Sequence, residues 1–459
     1  MEGPAVRLVP APTIQIAGEI LVDLFGPPEG RSFAVRYWDG SIAGPAPGPM
    51  PPFTLALRRP GALRRMLLPP SELALAEAYL RDDFDIEGDI EAAAGLAHGL
   101  AQRLLSPRTL ARLVPRLRAL PANDLPREDG NSLRGPARFR LGFRHSRRRD
   151  AAAVRYHYDV GNDFYALWLD RRMVYSCAYF PTGAENIHAA QEAKLEYICR
   201  KLRLQPGERL LDIGCGWGGL VQYAAERYGV RALGITLSEP QAALARERIA
   251  AAGLGDRCRI EVRDYRDLPG EARFDKLVSV GMVEHVGAAK LPTYFAQAHR
   301  LLRPGGLFLN HGIVVTTPYP PVGVVGRFMR WLWQPGSFIE RYVFPDGELV
   351  FPGEMAQRAE AAGFETRDVE SLREHYALTL RRWVRRLEAR RDQAVQLVGE
   401  ATYRVWRLYL GAMAREFAAG NIGVIQALLS KPDERGRSHL PLTRDDLYLQ
   451  GAEQEAQAA

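Results

Sequence analysis

The stretch Leu210-Leu-Asp-Ile-Gly-Cys-Gly-Trp-Gly-Gly219 decides how this chain is read. Leu210 to Ile213, after the turn at Pro206-Gly207, read as a buried strand, and Leu220 to Tyr228 as the helix that follows. Glycines at alternate positions let the backbone turn sharply and approach a ligand without Cβ interference. The ligand then lies against the helix N-terminus, where free N–H groups favour a carboxylate or phosphate. A nucleotide-type ligand is implied. Gly214, Gly216 and Gly219 satisfy the dinucleotide fingerprint literally, with Glu239 about where a ribose-binding acid belongs.

Composition bounds the alternatives. At 459 residues the chain is expected to form two domains, or one large domain with additions. It is 47% hydrophobic and 25% charged, ordinary for a soluble globular protein. No apolar run approaches the roughly 18–20 residues of a membrane span, and Met1-Glu2-Gly3-Pro4 lacks the basic start of a secretory signal. Cys177, Cys199, Cys215 and Cys258 show no Cys-x-x-Cys spacing, so neither a metal site nor a disulfide framework is expected, and a reducing cytoplasm fits. The net charge of +7 is unevenly placed: residues 101–150 hold thirteen Arg against four Asp or Glu. That segment reads either as a solvated connector or as a surface for anionic lipid headgroups, with Arg138, Arg140, Arg144 and Arg147 to Arg149 as contacts. No nucleic-acid-binding module is recognisable, so no nucleic acid partner is expected.

The first part, residues 1–130, reads as a small α+β unit. Ser32 to Trp38 and Phe53 to Arg58 are strand candidates, separated by a Pro/Gly-rich loop from Gly44 to Pro52. Ser71 is placed to cap a helix from Glu72 to about Leu80, and Ile90 to Leu105 reads as another. An Arg-rich linker, punctuated by Pro115, Pro121, Pro126 and Pro136, closes with residues 131–155. From Tyr156 strands and helices alternate. Strand candidates are Arg209 to Ile213, Arg231 to Thr236, Arg259 to Val262, Lys276 to Val280 and Leu307 to Ile313. The fold class is therefore α/β, a Rossmann-like domain over residues 156–448 with a mostly parallel sheet covered on both faces, preceded by the small α+β domain. Asp212, Thr236, Asp264 and Glu284 fall at the strand ends where such sheets bind ligands. Pro318 to Pro352 reads as an aromatic insertion covering the site, the chain after about Asp433 mostly as tail, and residues 449–459 as disordered.

Asp212 extends the glycine loop to Asp-x-Gly-x-Gly-x-Gly, which resembles the S-adenosylmethionine loop of Rossmann-like methyltransferases. Further segments follow in order: Tyr158-Asp-Val-Gly-Asn-Asp163, Tyr175-Ser-Cys-Ala-Tyr-Phe180, Gly234-Ile-Thr-Leu-Ser-Glu-Pro-Gln241, Ser279-Val-Gly-Met-Val-Glu-His-Val286 and Leu302-Arg-Pro-Gly-Gly306. Together they resemble the cyclopropane-fatty-acyl-phospholipid synthase family, which includes the mycolic acid cyclopropane synthases. The first domain resembles, more loosely, the lipid-handling N-terminal domain of longer members.

The resemblance implies S-adenosyl-L-methionine as cofactor. Asp212, Gly214 and Gly216 would surround its amino-acid end, and Thr236, Leu237, Ser238 and Gln241 its ribose side. Asp264 would accept a hydrogen bond from the adenine, Tyr265 would stack on it, and Tyr175 and Ser176 would close over the cofactor. It also implies methyl transfer to the cis double bond of an unsaturated acyl lipid, leaving a carbocation that loses a proton as a cyclopropane ring closes. Bound bicarbonate is the base in the family, and the matching positions are Cys177, Glu284, His311, Ile313 (through its backbone) and Tyr376. Tyr179, Phe180, Phe328, Trp331, Trp333, Phe338, Tyr342 and Phe344 are the aromatics expected around the acyl pocket. A cytoplasmic enzyme, peripheral at the inner membrane face and compatible with a homodimer, is the expectation. Relatives making methylene- or methyl-branched chains, a small-molecule methyltransferase, and a lipid-binding protein with an inactive domain are the alternatives.

Overall fold

The structure, a computed structural model, describes residues 12–104, 106–122, 145–158, 160–316 and 338–448. Two compact units are drawn from it. One takes Met1–Ala137, Tyr319–Val343 and Gly399–Arg415; the other takes Arg138–Pro318, Phe344–Val398 and Glu416–Ala459.

The first unit is built on strands β1 (Ala34–Arg36), β2 (Ile42–Ala43), β3 (Phe53–Leu57) and β4 (Phe84–Gly88), in the order β2-β1-β3-β4. Only β1 and β3 run parallel. Ser71 caps the helix Glu72–Leu80 as expected, accepting from the Ala74 N–H at 3.0 Å. Part of the segment read as connector is a helix, Pro107–Ala119, with Pro107 in its first turn, where a missing N–H does no harm. Its Leu113 and Leu117 are buried while Arg108, Arg112 and Arg118 are exposed. Arg404 joins this unit from far along the chain, its buried guanidinium donating to the Tyr79 carbonyl at 3.0 Å and to Asp82 at 2.7 Å. The chain reaches it through a break in the helical run Arg391–Ala419 at Gly399, where φ is 80°.

The second unit holds β5 (Arg209–Ile213), β6 (Arg231–Thr236), β7 (Cys258–Val262), β8 (Phe274–Val280), β9 (Leu302–Val315), β10 (Glu365–Ser371) and β11 (Ile422–Ser430). The order is β10-β11-β9-β8-β5-β6-β7. From β9 to β7 every pairing is parallel, and β11 and β10 then add antiparallel to β9. The five strands read from the sequence are present within a few residues. β10 is a polar edge strand, Glu-Thr-Arg-Asp-Val-Glu-Ser, with none of the apolar run that marks a buried parallel strand. Helices cover both faces. Leu195, Ile198, Val221 and Ala242 pack in one core, and Val283, Leu291, Phe295 and Phe364 in the other.

Two expectations change. Residues 147–158, placed partly in the linker, form a helix whose Arg149 pairs with Asp346 through two bonds, one from Nη2 at 2.6 Å. The chain after Asp433 continues into packed structure: Leu447 is buried and the Tyr448 hydroxyl lies 3.4 Å from that of Tyr197. Residues 449–459 lie outside the described residues, as do Phe328, Trp331, Trp333, Arg138, Arg140 and Arg144.

Candidate functional site

A cavity opens at the carboxyl ends of β5, β6, β7 and β8, where the parallel strands hand over to their helices. Its lining includes Tyr175, Ser176, Asp212, Gly214, Gly216, Thr236, Leu237, Gln241, Asp264 and Tyr265. Gly214 sits at φ +84°, and a Cβ there would stand 3.3 Å from that of Met282. The loop can therefore bring its backbone to the cavity only as glycine. Trp217 of the same loop is buried, its indole N–H donating to Asn162 at 2.8 Å. Two of the separated sequence motifs thus meet at one hydrogen bond.

Ser238 is the expected cofactor contact that the structure places elsewhere. It is fully buried as the N-cap of the helix Glu239–Ala251, accepting from the Gln241 N–H, and is not part of the lining. That cap carries Gln241 into position, where its side chain accepts from the Thr236 hydroxyl at 2.8 Å. Asp264 is held by Arg266 through Nε at 2.8 Å and Nη2 at 2.6 Å, and Arg266 also reaches Asp150 at 3.0 Å. These bonds keep the Asp264 carboxyl below its ordinary range despite partial burial, so it faces the cavity as an ionised acceptor. Tyr265 both lines the cavity and packs edge-on against Tyr294, ring centres 5.5 Å apart.

Lys194, His285 and Met282 also line the cavity and were not singled out from the sequence. Lys194 is 2% exposed and donates to the Ser176 hydroxyl at 2.9 Å. Three residues earlier on the same helix, Gln191 donates to the carbonyls of Val174 and Ser176 at 3.2 and 2.8 Å. A lysine and a glutamine three apart on a helix ordinarily mark a solvated face, so charge pattern alone conceals them. Burial pushes the Asp212 carboxyl up to about 7, opposed by the charge of Lys194. It pushes the Lys194 ammonium down to about 8.

Cys177, Glu284, His311, Ile313 and Tyr376 form a second cluster, linked through β9 and β11. The Glu284 Oε1 accepts from the Ile313 N–H at 2.7 Å. Ile313 pairs with Val424, whose carbonyl accepts from the Leu372 N–H at 2.9 Å. The Leu372 carbonyl in turn accepts from Cys177 Sγ at 3.7 Å and from the Tyr376 N–H at 3.0 Å. His311 stands two residues before Ile313, and its Nδ1 meets the Gln426 side-chain amide at 3.2 Å. Burial drives the His311 pKa down to about 3, so the ring is neutral, and raises the Glu284 carboxyl to about 7. Burial raises the Cys177 thiol far enough to keep it an S–H donor rather than a thiolate.

The backbone role expected of Ile313 is therefore directed at Glu284. Two polar atoms are left over: Glu284 Oε2 and His311 Nε2 are sealed from solvent with no hydrogen-bond partner among the described residues. A buried acceptor and a buried donor without partners are costly. Their chemistry, one acceptor and one donor, complements that of a small anion bearing both an O–H and acceptor oxygens. No group of His, Cys, Asp and Glu suited to a metal ion occurs among the described residues.

The aromatic surroundings differ from expectation. Tyr179 stacks between Tyr197 and His375 at 4.6 and 4.8 Å, and Phe180 lies under the Arg382 guanidinium. Phe344 stacks on His157 at 4.0 Å and lies 5.6 Å from His285. Around Tyr175 stands a wall of Tyr158, Tyr165, Trp168 and Trp383, with ring centres 5.3 to 6.1 Å from it.

Residues 145–427 match the family described as "Mycolic acid cyclopropane synthetase", and residues 20–105 match a domain of unknown function. A "Probable fatty acid methyltransferase" of Pseudomonas putida is 41% identical over 414 residues, covering 90% of this chain and 95% of that protein. The "Cyclopropane-fatty-acyl-phospholipid synthase" of Escherichia coli (strain K12) is 38% identical over 320 residues, 70% of this chain and 78% of that one. The crystal structure of mycolic acid cyclopropane synthase CmaA1 complexed with SAH and CTAB is 36% identical, with a TM-score of 0.56 over 61% of this chain and 97% of that chain. The chain belongs to the mycolic acid cyclopropane synthetase family, and with it to the S-adenosylmethionine-dependent lipid methyltransferases that include the cyclopropane-fatty-acyl-phospholipid synthases.

Proposed function

We propose that the protein alkylates the cis double bond of unsaturated acyl chains, in phospholipids, and closes a cyclopropane ring. The observation that carries this reading is the pair of partnerless buried atoms, Glu284 Oε2 and His311 Nε2. Methyl transfer to nitrogen or oxygen has no need of such a pair. When bound, S-adenosylmethionine supplies the electrophilic methyl group and bicarbonate a base for the proton lost on ring closure. Asp212, Gly214, Gly216 and the strand-end residues hold the first, while Glu284, His311, Cys177 and Tyr376 hold the second. Glu284, once ionised, accepts the O–H of the anion; neutral His311 and the Tyr376 hydroxyl donate to it. Glu284 Oε2 and His311 Nε2 are out of contact with solvent, and exclusion of water would keep a substrate carbocation from being trapped as an alcohol.

A second reading, a methylene- or methyl-branched product formed through the same carbocation, is favoured by the P. putida relative, named only a probable fatty acid methyltransferase while covering 90% of this chain. Mass spectrometry of lipids from a host expressing the protein separates the two. Gain of one CH2 unit with loss of the double bond and no consumption of hydrogen indicates the ring. Gain with residual unsaturation, or a saturated branch, indicates the alternative.

Gly214→Val forces a β-branched residue to positive φ against Met282. S-adenosylmethionine binding is expected to vanish in calorimetry while circular dichroism stays native; wild-type affinity would remove the cofactor assignment from this cavity.

Glu284→Gln is expected to keep cofactor binding and to lower turnover by about 10²–10⁴-fold, the usual range for an acid–base group. The Glu284 carboxyl, raised to about 7, is ionised above that pH and protonated below it. With S-adenosylmethionine saturating, so that the Asp212 carboxyl, also raised to about 7, does not limit binding, wild-type turnover should climb between roughly pH 6 and 8, and more steeply than that of Glu284→Gln. Full activity in the variant, with no response to bicarbonate after removal of dissolved carbon dioxide, excludes the scheme.

We also propose that the protein meets anionic membranes as a peripheral protein and that the first unit handles lipid. No helix among the described residues is long and apolar enough to cross a membrane. Arg149 and Arg147 pair with Asp346 and Asp267, whereas Arg148 is exposed; exposed too are Arg108, Arg112 and Arg118 of the helix Pro107–Ala119, which offer three further contacts. Each basic side chain at an anionic surface contributes about 1 kcal/mol. Vesicle sedimentation should show preference for anionic over neutral phospholipid, lost in added salt and in the triple Arg→Gln variant. Equal binding to both vesicles rejects this surface.

A further inference from the structure

Lys194 poses a physical problem that the functional reading leaves unsolved. Its ammonium is 2% exposed, yet among the described residues no carboxylate is in ion-pair contact with it. Its one hydrogen bond runs to Ser176 Oγ at 2.9 Å. An ammonium has further donors to place, and a buried charge without them is unfavourable. Asp212 presents the mirror image. Its carboxylate is 3% exposed, lines the same cavity, and has no hydrogen-bond partner among the described residues. The cavity thus holds one buried cation and one buried anion, both short of partners and close enough to feel each other's charge.

The Lys194–Ser176 bond also fixes the direction of the serine. A hydroxyl oxygen that accepts from an ammonium must send its own hydrogen elsewhere. No described residue accepts that hydrogen, and Ser176 lines the cavity. Its O–H is therefore a donor aimed at a ligand. Gln191 removes the remaining freedom by holding the Ser176 and Val174 carbonyls from the same helix.

We infer that Lys194 and Ser176 form a clamp for the carboxylate at the amino-acid end of the cofactor, with the Lys194 ammonium polarising the Ser176 hydroxyl as donor and Asp212 receiving the ammonium of that same end. The inference rests on the reading of this cavity as the S-adenosylmethionine site. A zwitterion satisfies both buried charges together, which neither a neutral ligand nor a simple anion does. Bicarbonate is the other carboxylate-like anion available, but Cys177, Glu284, His311 and Tyr376 do not line this cavity whereas Lys194 does.

The test uses two probes that share the adenosine and thioether. S-adenosylhomocysteine carries the amino-acid end; 5′-methylthioadenosine lacks it. Calorimetry on the full-length protein compares wild type, Lys194→Met, Lys194→Gln, Ser176→Ala and the Lys194→Met/Ser176→Ala double variant. Lys194→Met and Lys194→Gln are expected to weaken S-adenosylhomocysteine by about 10- to 100-fold, as for lost hydrogen bonds to a charged group. Both should leave 5′-methylthioadenosine within about twofold, on the same principle that an absent group loses nothing. Adding Ser176→Ala to Lys194→Met should cost less than Ser176→Ala does alone, because the hydroxyl acts through the ammonium.

A pH series gives an independent reading. The groups facing Lys194 are Asp170, Asp212, Cys177, Cys199 and Ser176, with neutral His311 beyond them. The lysine loses its proton as pH passes about 8, so wild-type affinity for S-adenosylhomocysteine should decline there more steeply than in Lys194→Met. The ligand's own amine titrates equally in both proteins and cancels. Unchanged S-adenosylhomocysteine affinity in Lys194→Met overturns the inference, as does an equal loss of both probes in Lys194→Met and Lys194→Gln. A turnover defect repaired by bicarbonate with nucleoside binding intact also overturns it and moves Lys194 to the other cluster. Failure of the underlying site reading looks different: Gly214→Val then binds both probes as wild type does.

Discussion

The hydrogen bond from the Ile313 backbone to Glu284, at 2.7 Å, is the constraint on which the second cluster depends. A carboxylate in a place this dry is unfavourable unless a donor holds it, and a main-chain N–H on a central strand cannot move away. By occupying Oε1 it leaves Oε2 as a buried acceptor without a partner among the described residues. β9 can offer that N–H because β8 makes its last pairing at Val280 with His311, and the Gly281 N–H then closes on the His311 carbonyl at 2.9 Å, so Ile313 lies just past the end of the neighbouring strand.

The two clusters differ in how their charges are kept. Around the cofactor cavity, Asp264 is stabilised by Arg266, and Arg266 in turn by Asp150 of the helix Arg147–Tyr158. That helix is tied again through Arg149 to Asp346. These links are partly buried and multiply bonded, the circumstances in which ion pairs order a segment rather than merely decorate it. Around the second cluster the groups are neutral or poised: a neutral imidazole, an S–H, a phenol and a carboxyl raised to about 7. The first arrangement is built of ionised, paired groups; the second keeps its groups close to neutral.

Ser176 and Cys177 are neighbours in the chain, and each belongs to a different one of these clusters. The segment Val174–Cys177 is held from one side by Gln191 and Lys194, and from the other by the bond from the Ala178 N–H to Thr379 at 3.0 Å. The backbone bends at Ser176, between the two side chains. A short piece of chain, held by hydrogen bonds on both sides, therefore sets the spacing between Ser176 and Cys177.

Most of the parallel sheet was legible in the sequence, because buried strands followed by helices leave apolar runs, turn residues and N-caps with local causes. The glycine loop was legible for the same reason: a positive φ at Gly214 is a local demand that only glycine meets cheaply. The family resemblance implied Glu284, His311, Cys177 and Tyr376, but not the use of Ile313 to hold Glu284, which exists only once β9 lies beside the strand-end turn. Ser238 looked like a ligand contact and is a helix cap, since the same hydroxyl serves either purpose and only the chain path decides. β10 escaped because a polar edge strand carries little periodic signal; the helix Pro107–Ala119 does carry one, with Leu110, Leu113, Val114 and Leu117 at helical spacing, but its prolines and arginines read as a connector. Lys194 escaped for a deeper reason. Sequence determines that a residue is charged; burial, which converts that charge from a solvated surface group into a demand for a partner, is decided only when helix, loop and sheet close around it.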